Sequence, residues 1–301
     1  MGFIKRFLII SFCFILFACE KKVSKSNEET SFIEIATESN IIFKDSIKGY
    51  ISKAYNNINE EKNEVKEEKE VERNYIFGQE KDRCPILSVY VKNDPVKNNY
   101  ISLTFDCSFE NRYTYQILNI LDDYDAKATF FMTGEFISRN IEQVKQMISR
   151  GHDIGNHSAT HPDFRKISDE KKIEEISIPD SIIKEKLNKQ MNLFRFPYGG
   201  YNEESVKILK NLNYYPIQWT FDSVDWKNES LEMLLKKFQN GQNLEPGFII
   251  LFHNGAKRTP EALPYILEMI KSKGLKCVKV SDLIYKDNFY IDGWGTQCKK
   301  K

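Results

Sequence analysis

Two of the four histidines in this 301-residue chain stand four residues apart in "HSATH", His157 to His161, with Pro162 directly after them. Imidazoles at i and i+4 can face one metal ion when the loop between them is helical, and a proline would end that turn. Taken alone, such a pair is more often two surface or core histidines than a pair of ligands. Here His152 and His253 also sit at the ends of short apolar runs, and the four together favour a metal site. Asp106, Arg195, Asp222 and Asp225 fall at equivalent places, each where an apolar run stops.

Those runs are the elements that must position the site. Residues 101–105 (ISLTF), 128–132 (ATFFM), 152–155 (HDIG), 193–196 (LFRF), 215–219 (YPIQW), 248–252 (FIILF) and 275–280 (LKCVKV) read as strands. Helical patterns over 113–123, 137–150, 169–189, 203–211, 231–240 and 260–273 lie between them, with Pro179 expected to kink or split the third. This alternation predicts an α/β fold with a largely parallel sheet, and a closed or nearly closed barrel is the natural way to complete it. Asp106 then follows strand one, His157 and His161 strand three, Asp222 and Asp225 strand five and His253 strand six, while Arg195 closes strand four. In a βα barrel the carboxyl ends of the strands converge on one face, so these distant residues would share a pocket.

The chain opens differently. Lys5 and Arg6 precede an apolar run from Phe7 to Phe17, too short to span a bilayer comfortably but suited to a secretory signal. It ends "LFAC", which resembles the lipobox of bacterial lipoproteins, with Cys19 as the lipidated residue after a signal peptide at 1–18. An exported protein, lipid-anchored to a bacterial membrane and facing the periplasm or cell exterior, is expected. Residues 19–80 are rich in Lys, Glu, Asn and Ser and read as a charged tether or helical linker. The folded domain is expected at 81–290, and 291–301 as a C-terminal tail. The 44 basic and 43 acidic side chains nearly cancel, which with export disfavours nucleic acid as a partner. Cys84 and Cys298 bracket the domain and are a possible disulfide in an oxidising compartment. Cys277, within an apolar segment, reads as a small core residue.

"TFDCS", "HSATHP", "RFPYG", "DSVDW" and "LFH" occur in the order and at roughly the spacing of the five motifs of the polysaccharide deacetylases. The region 100–285 resembles that family, carbohydrate esterase family 4, with its NodB homology domain. "TFDCSFENRYT" is also similar to the subgroup of delta-lactam-forming muramic acid deacetylases. The resemblance implies a distorted (β/α)7 barrel and removal of N-acetyl groups from an amino-sugar polymer by metal-activated water. It implies His157 and His161 as ligands of a divalent ion, zinc foremost and cobalt as an alternative. Asp106 would be the base, Arg195 the group that orients it, and His253, held by Asp225, the acid. Trp226 and Leu251 would wall the acetyl pocket, and the Tyr198 N–H would help hold the oxyanion. His152 and Asn156 match the pattern as positioning or packing groups. Taken singly, Asp225 would be a helix cap, Trp226 a core aromatic and Arg195 half of a surface ion pair.

Cys107 departs from the family, which carries a second aspartate there to complete an Asp-His-His metal site. Three readings stay open: a Cys-His-His shell, a weak two-histidine site with Cys107 filling space, or a glycan-binding relic without turnover. Peptidoglycan, through its N-acetylmuramic acid or N-acetylglucosamine, is the expected substrate, with a chitin-like or exported polysaccharide as the enzymatic alternative and a silent glycan-binding lipoprotein as the other.

Overall fold

The computed structural model describes residues 84–227, 230–239 and 243–300. The leader with Cys19 and the charged segment up to residue 83 lie outside them. Among the described residues, no helix is long and apolar enough to cross a membrane.

In chain order the strands are β1 (Ser88–Val89), β2 (Tyr100–Cys107), β3 (Ala128–Met132), β4 (Asp153–Asn156), β5 (Leu193–Phe194), β6 (Tyr215–Pro216), β7 (Phe221–Asp222), β8 (Ile249–His253), β9 (Lys276–Cys277), β10 (Phe289–Ile291) and β11 (Thr296–Lys299). The helices are α1 (Thr114–Asp123), α2 (Gly134–Arg139), α3 (Ile141–Ser149), α4 (Asp169–Leu187), α5 (Glu203–Asn211), α6 (Leu231–Gln239), α7 (Arg258–Ser272) and α8 (Val280–Leu283). All seven strands read from the sequence are present; β5, β6 and β9 stop earlier at their carboxyl ends, while β2, β4 and β8 run one or two residues further.

Strands β6-β5-β4-β3-β2-β8-β7 form one curled sheet in that order, and β9 pairs with the first two residues of β2. Every pairing in this sheet is parallel. Strand β2 is buried from Ile101 to Cys107 because sheet neighbours flank it and layers cover both faces. The sheet does not close on itself: between β6 and β7 the segment after Cys84 enters instead. Ile86 bridges Ile217 in parallel, and Ser88 bridges Phe248 antiparallel. Ile86, Val89 and Val91 join Phe131, Leu193, Ile217 and Ile249 in an apolar plug. A second small sheet, β1-β11-β10, adjoins this end, so the predicted tail after residue 290 is strand.

Three expectations need correction. No disulfide joins Cys84 and Cys298. Strand β1 runs parallel to β11 with Ser88 opposite Thr296, so Cys84 precedes the pair while Cys298 lies toward its far end. In that register Cys298 is about six residues, or roughly 20 Å of extended chain, beyond the level of Cys84, far outside disulfide reach. The helix expected over 137–150 is two helices, because the Asn140 side chain donates to the Phe136 carbonyl and halts the first. Pro179, by contrast, sits inside one continuous α4.

Gly247 fastens the plug to the sheet. Its carbonyl accepts from Val89 N–H at 2.9 Å and its own N–H reaches the Tyr100 carbonyl at 2.7 Å. Its φ is +86°, and an added Cβ would stand 1.8 Å from the Val89 oxygen. Gly247→Ala is therefore expected to destabilise by about 3 kcal/mol or more, read as a lowered midpoint in denaturant unfolding.

Candidate active site

The register of β2 and β8 sets Asp106 beside His253, and that of β3 and β4 aligns Met132 with Asn156, the residue before His157. The carboxyl ends of the central strands are thus level. Arg195 comes up from just after β5, fully buried.

Arg195 is the hub. One terminal nitrogen, Nη1, donates to Asp106 Oδ1 at 2.8 Å and to Thr104 Oγ1 at 2.8 Å. The other, Nη2, donates to the Gln218 carbonyl at 2.9 Å. Its guanidinium lies over the Phe131 ring, 4.1 Å from the centroid, a contact that suits a weakly hydrated planar cation. Burial alone would raise the Asp106 pKa, but Arg195, then His157 and His253, pull it below the ordinary carboxylate value. Asp106 is held ionised although only 5% exposed.

His157 Nδ1 lies 2.8 Å from the Arg195 carbonyl. A carbonyl only accepts, so Nδ1 carries the proton and Nε2 of the neutral ring is bare. Asp106 Oδ2 stands 3.4 Å from that Nε2. Burial lowers the His157 pKa despite Asp106, and burial with the neighbouring His157 brings His161 down to about 4. The two rings meet edge to face with centroids 4.8 Å apart. The loop that brings them together is not helical: Ser158 and His161 take left-handed φ values of +69° and +61°. Ser158 Oγ accepts from His161 N–H at 3.0 Å. Buried Glu175 of α4 accepts from both the N–H and the hydroxyl of Thr160, at 2.7 and 2.8 Å.

Two neutral imidazoles with a bare nitrogen suit a divalent cation. Cys107 does not join them. Among the described residues, no three His, Cys, Asp or Glu side chains are grouped to hold a metal ion. The reason is strand alternation: Thr104 and Asp106 face Arg195, whereas Cys107 shares the face of Phe105, which stacks on Phe130 and Phe252. The Cys107 sulfur is wholly buried, 3.6 Å from the Phe105 carbonyl, and burial, with Asp106 second, pushes its pKa well above that of a free thiol. The donors present fit an ion as two of its ligands and supply no thiolate.

The second dyad faces the first. His253 Nδ1 lies 2.8 Å from Asp225 Oδ1, and the His253 N–H donates to Oδ2 at 2.8 Å. Thr259 Oγ1 donates to the same Oδ2, so the carboxylate is saturated and fixed. Burial would depress the His253 pKa, but the bond to Asp225 and its charge outweigh this and raise it. Asp225 is a helix-end residue as well as a partner for the imidazole.

Asp106, His253 and Trp226 line an open cleft of about 440 Å³. Trp226 is 53% exposed there rather than in the core. Leu251 is buried in β8 beneath it, and Tyr198, 70% exposed with φ +58°, sets its ring edge to face with His161 at 4.5 Å. His152 packs edge-on against Phe130 and its Nδ1 accepts from Ala128 N–H, away from the cleft. Asn156 sits behind the histidine loop, accepting from Ser158 N–H and donating to the Ile176 carbonyl. Sequence reasoning missed Thr104, Thr259 and Glu175. Thr104 was discoverable as the inward-facing residue two before Asp106, whereas no local pattern marks Glu175.

A polysaccharide deacetylase family model matches residues 93–217. The chain is 36% identical over 195 residues to a peptidoglycan-N-acetylglucosamine deacetylase of Bacillus cereus, covering 63% of this chain and 90% of that one. It is 34% identical over 195 residues to the peptidoglycan-N-acetylmuramic acid deacetylase of Bacillus subtilis, covering 63% and 73%. Among solved structures, a carbohydrate esterase family 4 pseudoenzyme from Bacillus anthracis matches with a TM-score of 0.62 and 29% identity over 67% of this chain and 69% of that chain. A mutant of that pseudoenzyme described as having restored enzymatic activity matches with the same TM-score. With its motifs on the rim of a curled parallel sheet and these relatives beside it, the chain belongs to the polysaccharide deacetylase family of hydrolases, carbohydrate esterase family 4.

Proposed function

We propose that this protein removes N-acetyl groups from the amino sugars of peptidoglycan, releasing acetate. The observation that supports the reading is the pairing of β2 with β8, which sets the Asp106 carboxylate and the His253 imidazole side by side on one cleft. An unactivated amide needs a proton removed from the attacking water and another delivered to the leaving amine. Asp106 has Oδ1 tied to Arg195, which leaves Oδ2 to accept the water's proton. His253 has Nδ1 tied to Asp225, which leaves Nε2 to donate to the sugar nitrogen. Trp226 and Leu251 wall the acetyl group, and the Tyr198 N–H helps hold the oxyanion.

His157 and His161 would hold a divalent ion, zinc foremost and cobalt as an alternative, which when bound acidifies water and polarises a carbonyl. This chain's own contribution to that ion is the pair of neutral rings, fixed by the Arg195 carbonyl and by the clamp of Glu175 on Thr160. In the same reading, residues 1–18 are a lipoprotein signal, and Cys19 anchors the protein to the membrane beside its substrate. A second reading, a silent glycan-binding protein, is favoured by one observation: no third protein ligand joins the histidine pair among the described residues.

Three outcomes are expected. Asp106→Asn should reduce acetate release from purified peptidoglycan by about 10²- to 10⁴-fold without loss of glycan binding; a wild type that binds but releases no acetate would establish the silent reading. The rate should be bell-shaped in pH, because Asp106 must be ionised and its pKa is lowered, while His253 must be protonated and its pKa is raised. In Asp225→Asn the alkaline limb should therefore move to lower pH while the acid limb stays. Finally, zinc titrated into Cys107→Ala should bind as to wild type, whereas His157→Ala should lose it; cobalt-loaded wild type should show no thiolate charge-transfer band.

A further inference from the structure

The cleft carries charge that neither dyad uses. Arg112, in the loop after β2, and Lys257, just before α7, line the same cavity as Asp106, His253 and Trp226. Neither side chain has an ion pair or hydrogen bond among the described residues. Glu110 is the unpaired carboxylate nearby, lining the same cavity and flanking Gly255. Asp106 is matched by Arg195 and His253 by Asp225, so the unmatched charge is two cations against one carboxylate.

The position of these cations is unfavourable to the fold. Helix α1 begins just after Arg112 and α7 just after Lys257, and neither helix has a side-chain cap at that end. The positive end of a helix dipole disfavours a neighbouring cation. Neither residue packs against the core, so no structural need places the two charges on this cleft.

We propose that Arg112 and Lys257 recognise a carboxylate on the substrate, so that the protein selects an acidic N-acetyl amino sugar over a neutral one. This rests on the reading of the cleft as an amino-sugar site. N-acetylmuramic acid carries such a group on its lactyl ether, whereas N-acetylglucosamine carries none. Where a stem peptide caps the lactyl group, the peptide's own carboxylates present the same chemistry. Salt bridges at exposed cations are individually modest, so the preference arises from two contacts and weakens with salt.

Binding is measured by calorimetry at low and high salt with three forms of the N-acetylglucosaminyl-N-acetylmuramic acid disaccharide. One has a free lactyl carboxylate, one has it blocked as the methyl amide, and one carries a short acidic peptide. Wild type should bind a carboxylate-bearing form about five- to tenfold more tightly than the amide, and salt should remove the difference. Whether the lactyl or the peptide form binds better assigns the source of the carboxylate. The double variant Arg112→Gln/Lys257→Gln, checked by an unchanged unfolding midpoint, should bind all three forms alike and keep its affinity for the amide. Equal binding of all three by wild type, or a preference that survives in the double variant, overturns the proposal. Acetate release is followed in the same samples: charge-selective binding without acetate would overturn the hydrolytic reading and leave this one standing.

Discussion

The buried guanidinium of Arg195 is the constraint around which the rim is arranged. A wholly buried cation is tolerated only where a counter-charge and acceptors surround it, and removing one partner of such a pair costs about 3–5 kcal/mol. Asp106, Thr104 and the Gln218 carbonyl meet that demand from two sides, while Phe131 offers its ring face from below. Those groups come from three parts of the sheet: Asp106 and Thr104 from β2, Phe131 from β3 and Gln218 from the segment after β6. Satisfying Arg195 therefore fixes the height of β2 against the end of β5 and the segment after β6. The carbonyl of Arg195 then orients His157, so one residue sets both the ionisation of Asp106 and the tautomer of the nearest imidazole.

Strand register carries this order across the cleft. Because β2 and β8 are paired neighbours, the position of Asp106 determines that of His253, and Asp225 receives both the ring and the backbone of His253. The two carboxylates are driven to different tasks by their surroundings. Asp106 faces a permanent cation and keeps one oxygen clear of hydrogen bonds. Asp225 is saturated and serves to hold a proton on its imidazole. Two acidic residues about equally buried are thus suited to opposite halves of the proposed proton transfer, as the environment and not the side-chain type dictates.

Much of this was legible in the sequence because strands β2, β3 and β8 are short runs of mostly apolar and β-branched residues alternating with helical patterns, as a buried parallel sheet requires. The polar residue ending each run marked the rim correctly for Asp106, His157, Arg195 and His253. What stayed illegible depends on groups whose partners lie far along the chain. The role of Glu175 comes from the docking of α4 over the histidine loop, and the left-handed turns at Ser158 and His161 leave no compositional trace. The disulfide expectation failed because proximity of Cys84 and Cys298 depended on strand direction, which residue types do not encode. For Cys107 the motif left a thiolate ligand and a space-filling residue both open, and elementary alternation from Asp106 favours the second by pointing it toward the face of Phe105.

Paired buried charge explains part of this rim without reference to turnover. Asp106 and Arg195 hold each other in a place where either alone would be an uncompensated charge, so their presence together has a structural cause whether or not the protein turns over substrate. Asp225 likewise anchors Thr259 and the His253 backbone. The ring of His253 is different. It is only partly buried, its inner nitrogen is committed to Asp225, and its outer edge contributes to the wall of the cleft without packing against the core. Fold maintenance alone accounts for the carboxylates and the arginine but not for an imidazole whose pKa is raised at an open cleft, which is what a proton donor to a leaving group requires.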